Sequence, residues 1–248
     1  MTRVKTTAEI NAMREGGAML AHVLKALAEY VEPGLSTKEL AVFAQKELAK
    51  LGGKPAFLGY YGFPDVLCVS LNDEVVHGIP REDRIIQNGD IVSMDFGVLH
   101  KGLITDAAIS VIAGKARSED VQLVAKTKQA MEAAIDVVRD GVKTGTIGAA
   151  AEAILSKAHY GIVRDYVGHG VGHELHEEPN VPNFGIKGEG VSLTEGMTIA
   201  IEPMATRGSH DVFVAADNWT VKTKDGSRAA HFENTVLITK DGAEVLTA

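Results

Sequence analysis

The segment Tyr166–Pro179 reads YVGHGVGHELHEEP, and the interpretation of the whole chain starts from it. It concentrates three histidines, three glycines and three glutamates ahead of a proline. The glycines allow backbone conformations that a side chain would forbid, and in a helix each of them would cost stability. We therefore expect a tightly turned main chain that presents His169 and His176.

Three motif interpretations fail on this segment. A dinucleotide-binding loop needs G-x-G-x-x-G, but His173 stands where the third glycine belongs. A zincin helix needs H-E-x-x-H, but Glu177 stands where the second histidine belongs. A helical zinc pair of His173 and His176 would lie in a glycine-broken stretch. The segment alone is also compatible with a polar loop whose histidines hydrogen-bond to neighbouring groups.

The composition bounds the class of protein. The 248 residues are 45% hydrophobic and 23% charged, which is typical of a soluble globular protein. The net charge of −8 argues against a general nucleic-acid or membrane-surface binder. Cys68 is the only cysteine, so no intrachain disulfide forms, as suits a reducing cytosol. Neither a signal peptide nor a run of about 18 apolar residues is present, so we expect no membrane span.

Capping boxes and turn residues divide the first half into elements. Boxes at Thr6–Glu9 and Ser36–Glu39 predict two helices, which end at Pro33-Gly34 and at Gly52-Gly53. A glycine-rich aromatic turn, FLGYYGFP, follows at Phe57–Pro64. Strands are predicted at Val66–Leu71, Ile91–Val98 and Leu103–Ile112.

The second half repeats this plan. Helices are predicted from Glu119 to about Val138 and from about Thr146 to Lys157. Strands are predicted at Thr198–Glu202 and Glu233–Thr239.

Three landmarks recur in the same order, which indicates an internal duplication. Two are displaced by 107 residues and one by 99: Gly34-Leu35-x-Thr37 with Gly141-Val142-x-Thr144, Gly89 before Asp95 with Gly196 before Glu202, and His77-x-x-Pro80 with His176-x-x-Pro179. We expect one α+β domain, 1–248, built from two similar halves at about 1–112 and 113–248. Each half would give a histidine and acidic residues to a shared cleft.

Strand alternation places acids on one face of the sheet. Asp95 shares its face with Ser93 and Gly97, whose small size leaves space in front of it. A loop of two or four residues between the next strands would set residue 97 opposite 106. Asp95 and Asp106 would then be diagonal neighbours, about 7–8 Å apart. A three-residue loop without a bulge would separate them.

Glu202 and Glu233 lie on strands in the same way, and the strand cores carry no lysine or arginine. A strand-end acid reaching solvent explains any one such residue. Four buried acids in duplicated positions are costly unless they bind cations, so the pattern favours metal. Four carboxylates balance two divalent ions, with a hydroxide and a neutral His169 completing the shell. The oxygen-rich donor set favours Mn²⁺ or Fe²⁺, and Co²⁺ and Zn²⁺ are further candidates.

These residues resemble the type I methionine aminopeptidase family from the first helix to nearly the last residue. The local strings are MDFG, ITDAA, GHGVG, AIEPM and FENT, and the family's five metal ligands fall on Asp95, Asp106, His169, Glu202 and Glu233. The resemblance implies the pita-bread α+β fold (the creatinase/aminopeptidase fold), with two pseudo-symmetric halves, an antiparallel sheet and outer helices. It also implies that Asp106 and Glu233 bridge two ions, that Asp95 chelates one of them, and that His169 with Glu202 binds the other.

The resemblance further implies the chemistry. A bridging hydroxide would attack the first peptide bond and release the initiator methionine of nascent chains when the second residue is small. Glu202 would shuttle the proton, while His77 and His176 would bind the scissile amide and stabilise the tetrahedral intermediate. The enzyme would be a cytoplasmic monomer of the short bacterial form that meets nascent N-termini, with the ribosome as a further partner.

The methionine pocket is the part in which this sequence departs from the family. The resemblance places along it Tyr60, Phe63, Cys68 and Trp219, with His77 at its edge. The family commonly has a cysteine at Phe57, a tyrosine at Phe63 and a phenylalanine at Leu175. The chemistry is compatible with these changes, and the pocket width is not predicted.

Two other functions remain to be separated from this one. A proline-specific dipeptidase on the same fold is disfavoured by the absence of an extra N-terminal domain and by the local sequence GHGVGHELHEEP. A catalytically inactive binding protein of the same fold would typically lack ligands, and all five are present.

Overall fold

The computed structural model describes residues 3–248, which form four α-helices around antiparallel sheets of short and long strands. The helices are α1 (Thr7–Tyr30), α2 (Thr37–Leu51), α3 (Ser118–Asp136) and α4 (Thr144–Lys157), with a 3-10 turn at Tyr60–Gly62. The strands are β1 (Lys54–Pro55), β2 (Cys68–Leu71), β3 (Glu74–Val76), β4 (Ile91–His100), β5 (Leu103–Ile112), β6 (Gly161–Ile162), β7 (Gly168–Gly170), β8 (Glu177–Val181), β9 (Thr198–Ile201), β10 (Met204–Thr206), β11 (Val212–Val214), β12 (Val221–Thr223), β13 (Ala229–His231), β14 (Glu233–Ile238) and β15 (Ala243–Val245).

A nine-stranded sheet forms the centre. Its strand order is β1-β4-β5-β14-β9-β7-β8, with β2 also paired to β4 and β15 to β14. Every pairing in it is antiparallel. The pairing of β5 with β14 joins the first half of the chain to the second within one sheet. The predicted α+β architecture with an antiparallel sheet is therefore confirmed.

The helices cover this sheet in two pairs, each with its own apolar core. Leu20 and Leu27 of α1 and Leu40 of α2 pack with Met94 and Phe96 of β4. An equivalent core in the second half joins α3 and α4 to β9 and β14, through Leu123, Leu155, Ile199 and Val236 among others. These buried side chains recur at helical spacing in the sequence, which is why the helices could be predicted. Within residues 3–248, no helix combines the length and apolar character that a membrane span needs.

The duplication is visible in the backbone hydrogen bonds. The Gly34 N–H donates to the Ile86 carbonyl, and the Gly141 N–H donates to the Leu193 carbonyl, with donor and acceptor both displaced by 107 residues. An isolated bridge between Ser36 and Ile85 is matched by one between Lys143 and Ser192, again 107 residues later. Conserved hydrogen bonds at a constant offset show that the two halves share one backbone plan.

Most element predictions hold to within two residues. Both capping boxes are present, with the Glu9 and Glu39 N–H groups donating to Thr6 and Ser36. The strand predicted to begin at Val66 begins at Cys68, since only from there does it pair with β4. Glu202 lies one residue beyond the end of β9.

The expected tight turn around His169 is wrong. Gly168–Gly170 is an extended strand between β8 and β9, and Gly172 alone of the three glycines has a positive φ, +147°. Gly168 is required for a different reason. A Cβ there would lie 2.4 Å from the carbonyl oxygen of Ala200, so the glycine allows two strands to approach closely.

Candidate active site

The β4–β5 hairpin brings the two aspartates together as the strand alternation predicted. Its loop has two residues, Lys101 and Gly102, both at positive φ (49° and 81°), which is the geometry of a tight hairpin turn. Gly97 therefore faces Asp106, and Asp95 faces Ala108. The aspartates are diagonal neighbours on one face of the sheet.

The glutamates reach the same face from the other half of the chain. Glu233 pairs with Ala108, so Ala108 stands between Asp95 and Glu233 in a row that crosses three strands. On the far side of β14, Asn234 pairs with Ile201, and Glu202 follows directly. The small side chain of Ala108 leaves room above the sheet for the surrounding carboxylates.

These four carboxylates are buried and incompletely paired. Each residue is at most 8% exposed, and Asp95 Oδ1, Asp106 Oδ1 and Glu233 Oε1 have no hydrogen-bond partner. Among the residues that the structure describes, no lysine or arginine lies within ion-pair distance of them; their basic neighbours are His169 and His231. Buried carboxylates without lysine or arginine partners are strongly destabilising. Bound cations would therefore stabilise the cluster.

Burial dominates the electrostatics of the cluster. It raises the pKa of Asp95, and it raises the pKa of Asp106 further together with the negative charges of Asp95 and Glu202. Burial and neighbouring carboxylates raise the pKa of Glu202 and Glu233 in the same way. Without cations, the cluster therefore holds protons that divalent ions would displace.

His169 is oriented as a metal ligand. Its Nδ1 lies 2.9 Å from the Gly170 carbonyl, to which it can donate a proton, and its Nε2 lies 3.4 Å from Glu202 Oε1. Burial, with a smaller effect of His176, lowers the pKa of His169 to about 3, so the ring is neutral and Nε2 offers a lone pair. Ligand atoms of His169, Asp106 and Glu233 lie within 4.8 Å of one another. The donor set fits a divalent ion.

The two remaining histidines flank the carboxylates. His176 Nδ1 lies 2.8 Å from the Tyr60 hydroxyl, and its ring centroid is 4.3 Å from that of His169. His77, at a φ of +60°, packs edge to face against Trp219 and Tyr166. Burial lowers the pKa of both rings, that of His77 to about 4. Both imidazoles are therefore neutral and each can offer one N–H.

An apolar cavity of about 360 Å³ opens onto this cluster. All eleven predicted site residues line it: Tyr60, Phe63, Cys68, His77, Asp95, Asp106, His169, His176, Glu202, Trp219 and Glu233. Phe63 and Trp219 make an edge-to-face contact with centroids 5.1 Å apart. Burial raises the pKa of the Cys68 thiol well above its usual value, so Cys68 is an apolar wall of the cavity and not a nucleophile. The structure thus brings the predicted residues together, and their individual roles stay predictions.

The comparisons with known proteins identify the family. The model of metallopeptidase family M24 matches residues 11–240. The chain is 46% identical to the methionine aminopeptidase of Aquifex aeolicus, over 96% of each chain, and 40% identical to methionine aminopeptidase 1 of Bacillus subtilis, over 98% of each. The chain belongs to metallopeptidase family M24, among its methionine aminopeptidases. The predicted family is confirmed.

Solved structures support the same placement within M24. The methionine aminopeptidase of Thermotoga maritima matches with a TM-score of 0.98 at 43% identity, covering 100% of this chain and 99% of that one. A prolidase from Pyrococcus furiosus matches with a TM-score of 0.80 at 23% identity, and the chain covers 65% of it. At that identity, the likeness to the prolidase shows the fold alone.

The three predicted departures from the family, Phe57, Phe63 and Leu175, lie together along the cavity. Phe57 and Leu175 are both buried and belong to one apolar cluster with Phe63 and Cys68. The Phe57 ring packs on Gly97, where an added Cβ would lie 2.6 Å from the ring. The space expected in front of Asp95 is thus partly taken by an aromatic ring at the neighbouring position.

Several residues of this M24 site escaped the sequence reasoning. Val76 and Tyr61 also line the cavity, and the Thr235 hydroxyl exchanges hydrogen bonds with the backbone of Asp106. His231 lies close to Glu202 and Glu233. Period-two alternation from Glu233 could have identified His231, which stands two residues before it. Tyr61 lies within the aromatic turn FLGYYGFP, which marked this region, and no local signal pointed to Val76 or Thr235.

Proposed function

We propose that this M24 metallo-aminopeptidase removes the initiator methionine from nascent chains whose second residue is small. Its divalent ions would be held by five residues: Asp95, Asp106, His169, Glu202 and Glu233. The observation that supports this most directly is the junction of a carboxylate cluster that lacks lysine and arginine partners with an apolar cavity. Such a cavity suits an unbranched side chain, and the carboxylates stand where its scissile bond would lie.

Two ions would match the charge of four carboxylates, and Mn²⁺, Fe²⁺ and Co²⁺ suit the oxygen-rich donor set, with Zn²⁺ a further candidate. When bound, they would polarise the substrate carbonyl and lower the pKa of a water towards neutrality. Asp95, Asp106 and Glu233, which have unpartnered buried oxygens, would hold the ions together with His169 and Glu202.

The chain's own groups would then handle protons and orientation. Glu202 lies 3.4 Å from the His169 ring at the floor of the cavity, where it can take a proton from the attacking water and return it to the leaving amine. If the Tyr60 hydroxyl donates to His176 Nδ1, His176 presents Nε2–H to the cavity. That N–H, with one from His77, would stabilise negative charge developing on the substrate carbonyl oxygen.

We also propose that residues 1–248 act as one catalytic domain, because the central sheet runs through both halves. Nascent chains would be the substrate, which would place the enzyme in the cytoplasm, near the ribosome. We propose that it acts there as a monomer.

The test is methionine release from Met-Ala-Ser by the purified enzyme with Mn²⁺ or Co²⁺, before and after EDTA treatment. We expect turnover that EDTA abolishes and added ions restore, with much slower release from Met-Leu-Ser. Hydrolysis of Ala-Pro in place of Met-Ala-Ser would indicate the proline-specific activity. A folded protein that binds ions without cleaving either peptide would indicate a binding protein.

A further inference from the structure

His231 is a buried histidine for which the mechanism above gives no role. It ends β13, two residues before Glu233, and is 1% exposed. Within residues 3–248, neither of its ring nitrogens has a hydrogen-bond partner. An unpaired buried N–H costs about 1–3 kcal/mol. A ring in this position therefore needs a hydrogen-bond partner, which the metal-bound site would supply.

The ring points at two of the carboxylates. His231 Nε2 lies 3.8 Å from Glu202 Oε2 and 3.9 Å from Glu233 Oε2. These distances exceed a hydrogen bond by about 1 Å, which a small rotation of either carboxylate would close. In both glutamates, it is the Oε2 atom that faces His231.

The other oxygen of each glutamate is left for cations. Glu202 Oε1 is the atom that faces His169 Nε2, and Glu233 Oε1 is buried without a partner. Both glutamates thus turn Oε2 towards His231, while Oε1 faces His169 in Glu202 and is unpaired in Glu233. A donor at Nε2 would hold this arrangement in place.

The backbone of His231 is fixed from the opposite half of the chain. Its N–H donates to Ser110 Oγ at 2.9 Å, and the Ser110 hydroxyl donates to its carbonyl at 2.8 Å. Ser93, the cross-strand partner of Ser110, lies 2.7 Å from the Ser110 hydroxyl. The ring therefore projects from a rigid position in front of the two glutamates.

We propose that His231 is a positioning residue of the metal centre, whose Nε2–H binds the Oε2 atoms of Glu202 and Glu233 and keeps their Oε1 atoms directed at the ions. The role rests on the proposed function. His231 is absent from the cavity lining, so it acts through the two glutamates and not on the substrate. Partners that orient metal ligands in this way typically contribute 10–100-fold to metal affinity.

The test compares His231→Leu with His231→Gln, using Mn²⁺ titration followed by the EPR signal of the free ion. We expect two ions in the wild-type protein, an affinity about 10–100-fold weaker in the leucine variant, and most of that affinity restored by glutamine, which carries an N–H donor. The kcat for Met-Ala-Ser should fall in the leucine variant while KM stays unchanged. Wild-type affinity in the leucine variant would overturn the role, as would a glutamine variant as weak as leucine.

A second measurement needs no variant. In Zn²⁺-loaded protein labelled with ¹⁵N-histidine, we expect His231 to be protonated at Nε2; Nε2 bound to zinc, or a proton on Nδ1, would overturn the role. A wild-type protein that binds no divalent ion would overturn the proposed metal centre and this role together. Two bound ions with an unchanged leucine variant would overturn this role alone.

Discussion

The two halves of the molecule share a backbone plan but carry different side chains where they meet. Matched hydrogen bonds 107 residues apart define the common frame. At the centre, the first half supplies two aspartates on one hairpin, and the second supplies His169, Glu202 and Glu233. The duplicated backbone brings two strand faces together across β5 and β14. The carboxylate cluster is built from side chains on which the halves differ, whereas His77 and His176 are common to both.

The largest effect is expected at Asp106 and Glu233, two proposed metal ligands that come one from each half. Asp106→Asn and Glu233→Gln keep the shape but remove the charge, so both should weaken ion binding and lower kcat/KM by more than the ~100-fold of an outer partner. Metal analysis after dialysis and peptide hydrolysis measure this, with the exposed Asp241→Asn as the matched control. If only one half's variant were impaired, the proposed contribution of both halves to ion binding would be disproved.

The histidines related by the duplication, His77 and His176, should separate binding from turnover. His176→Ala and His77→Ala should each lower kcat by about 10²–10³-fold, the usual cost of removing one donor to the developing oxyanion. Both should retain two ions, because in the proposed mechanism these rings contact the substrate and not the metal. The exposed His22→Ala serves as control. A folded His176 variant that came out metal-free would contradict this assignment.

The pH dependence of ion binding should reflect the carboxylates of both halves. Burial raises the pKa of all four, so ions must displace protons, and affinity should increase with pH until the raised pKa values are passed. Each proton displaced contributes about tenfold per pH unit. Calorimetry in buffers of different ionisation enthalpy would count the protons released. Binding without proton release would show that the ions compete with no bound protons.

The aromatic wall joins Phe63 of the first half to Trp219 of the second. Replacing either by Ala should lower kcat/KM for methionyl peptides about 10–100-fold, equivalent to about 1–3 kcal/mol of lost pocket contact, without changing ion affinity. Because the rings touch, the double variant should cost less than the sum of the single ones. Strict additivity would mean that the two rings bind substrate independently.

The smallest effect concerns the outer frame. Ser36 and Lys143 are equivalent N-cap positions, but only Ser36 caps its helix with its side chain. Ser36→Ala should lower the free energy of unfolding by about 1 kcal/mol, while Lys143→Ala should change it by less than about 0.5 kcal/mol. Urea denaturation measures both. Equal losses at the two positions would indicate that the cap contributes nothing beyond its backbone.

The sequence was informative wherever short-range patterns decide the outcome. Alternation and loop length predicted that Asp95 and Asp106 share a face, and capping boxes predicted where α1 and α2 begin. Contacts between distant segments of the chain could not be predicted in this way. Nothing local showed that Glu233 would pair beside Ala108, and only the resemblance to a family joined the five ligands.

The misses have physical causes of the same kind. Glycines near His169 suggested a turn, but Gly168 serves close strand packing, a tertiary requirement that glycine content alone does not reveal. His231 lies close to Glu202 and Phe57 packs on Gly97, and in both pairs the partner is distant in the sequence. Such contacts depend on the assembled sheet.

The two-residue turn at Lys101 and Gly102 has a consequence for which changes in chain length the protein tolerates. Exposed loop tips ordinarily accept insertions. Here one added residue without a compensating bulge would invert the facing of β5, sending Asp106 into the apolar core behind the sheet and Ala107 to the front. The length of this solvent-exposed turn therefore determines whether Asp106 faces the candidate active site. Its length is under tighter constraint than its residue identities.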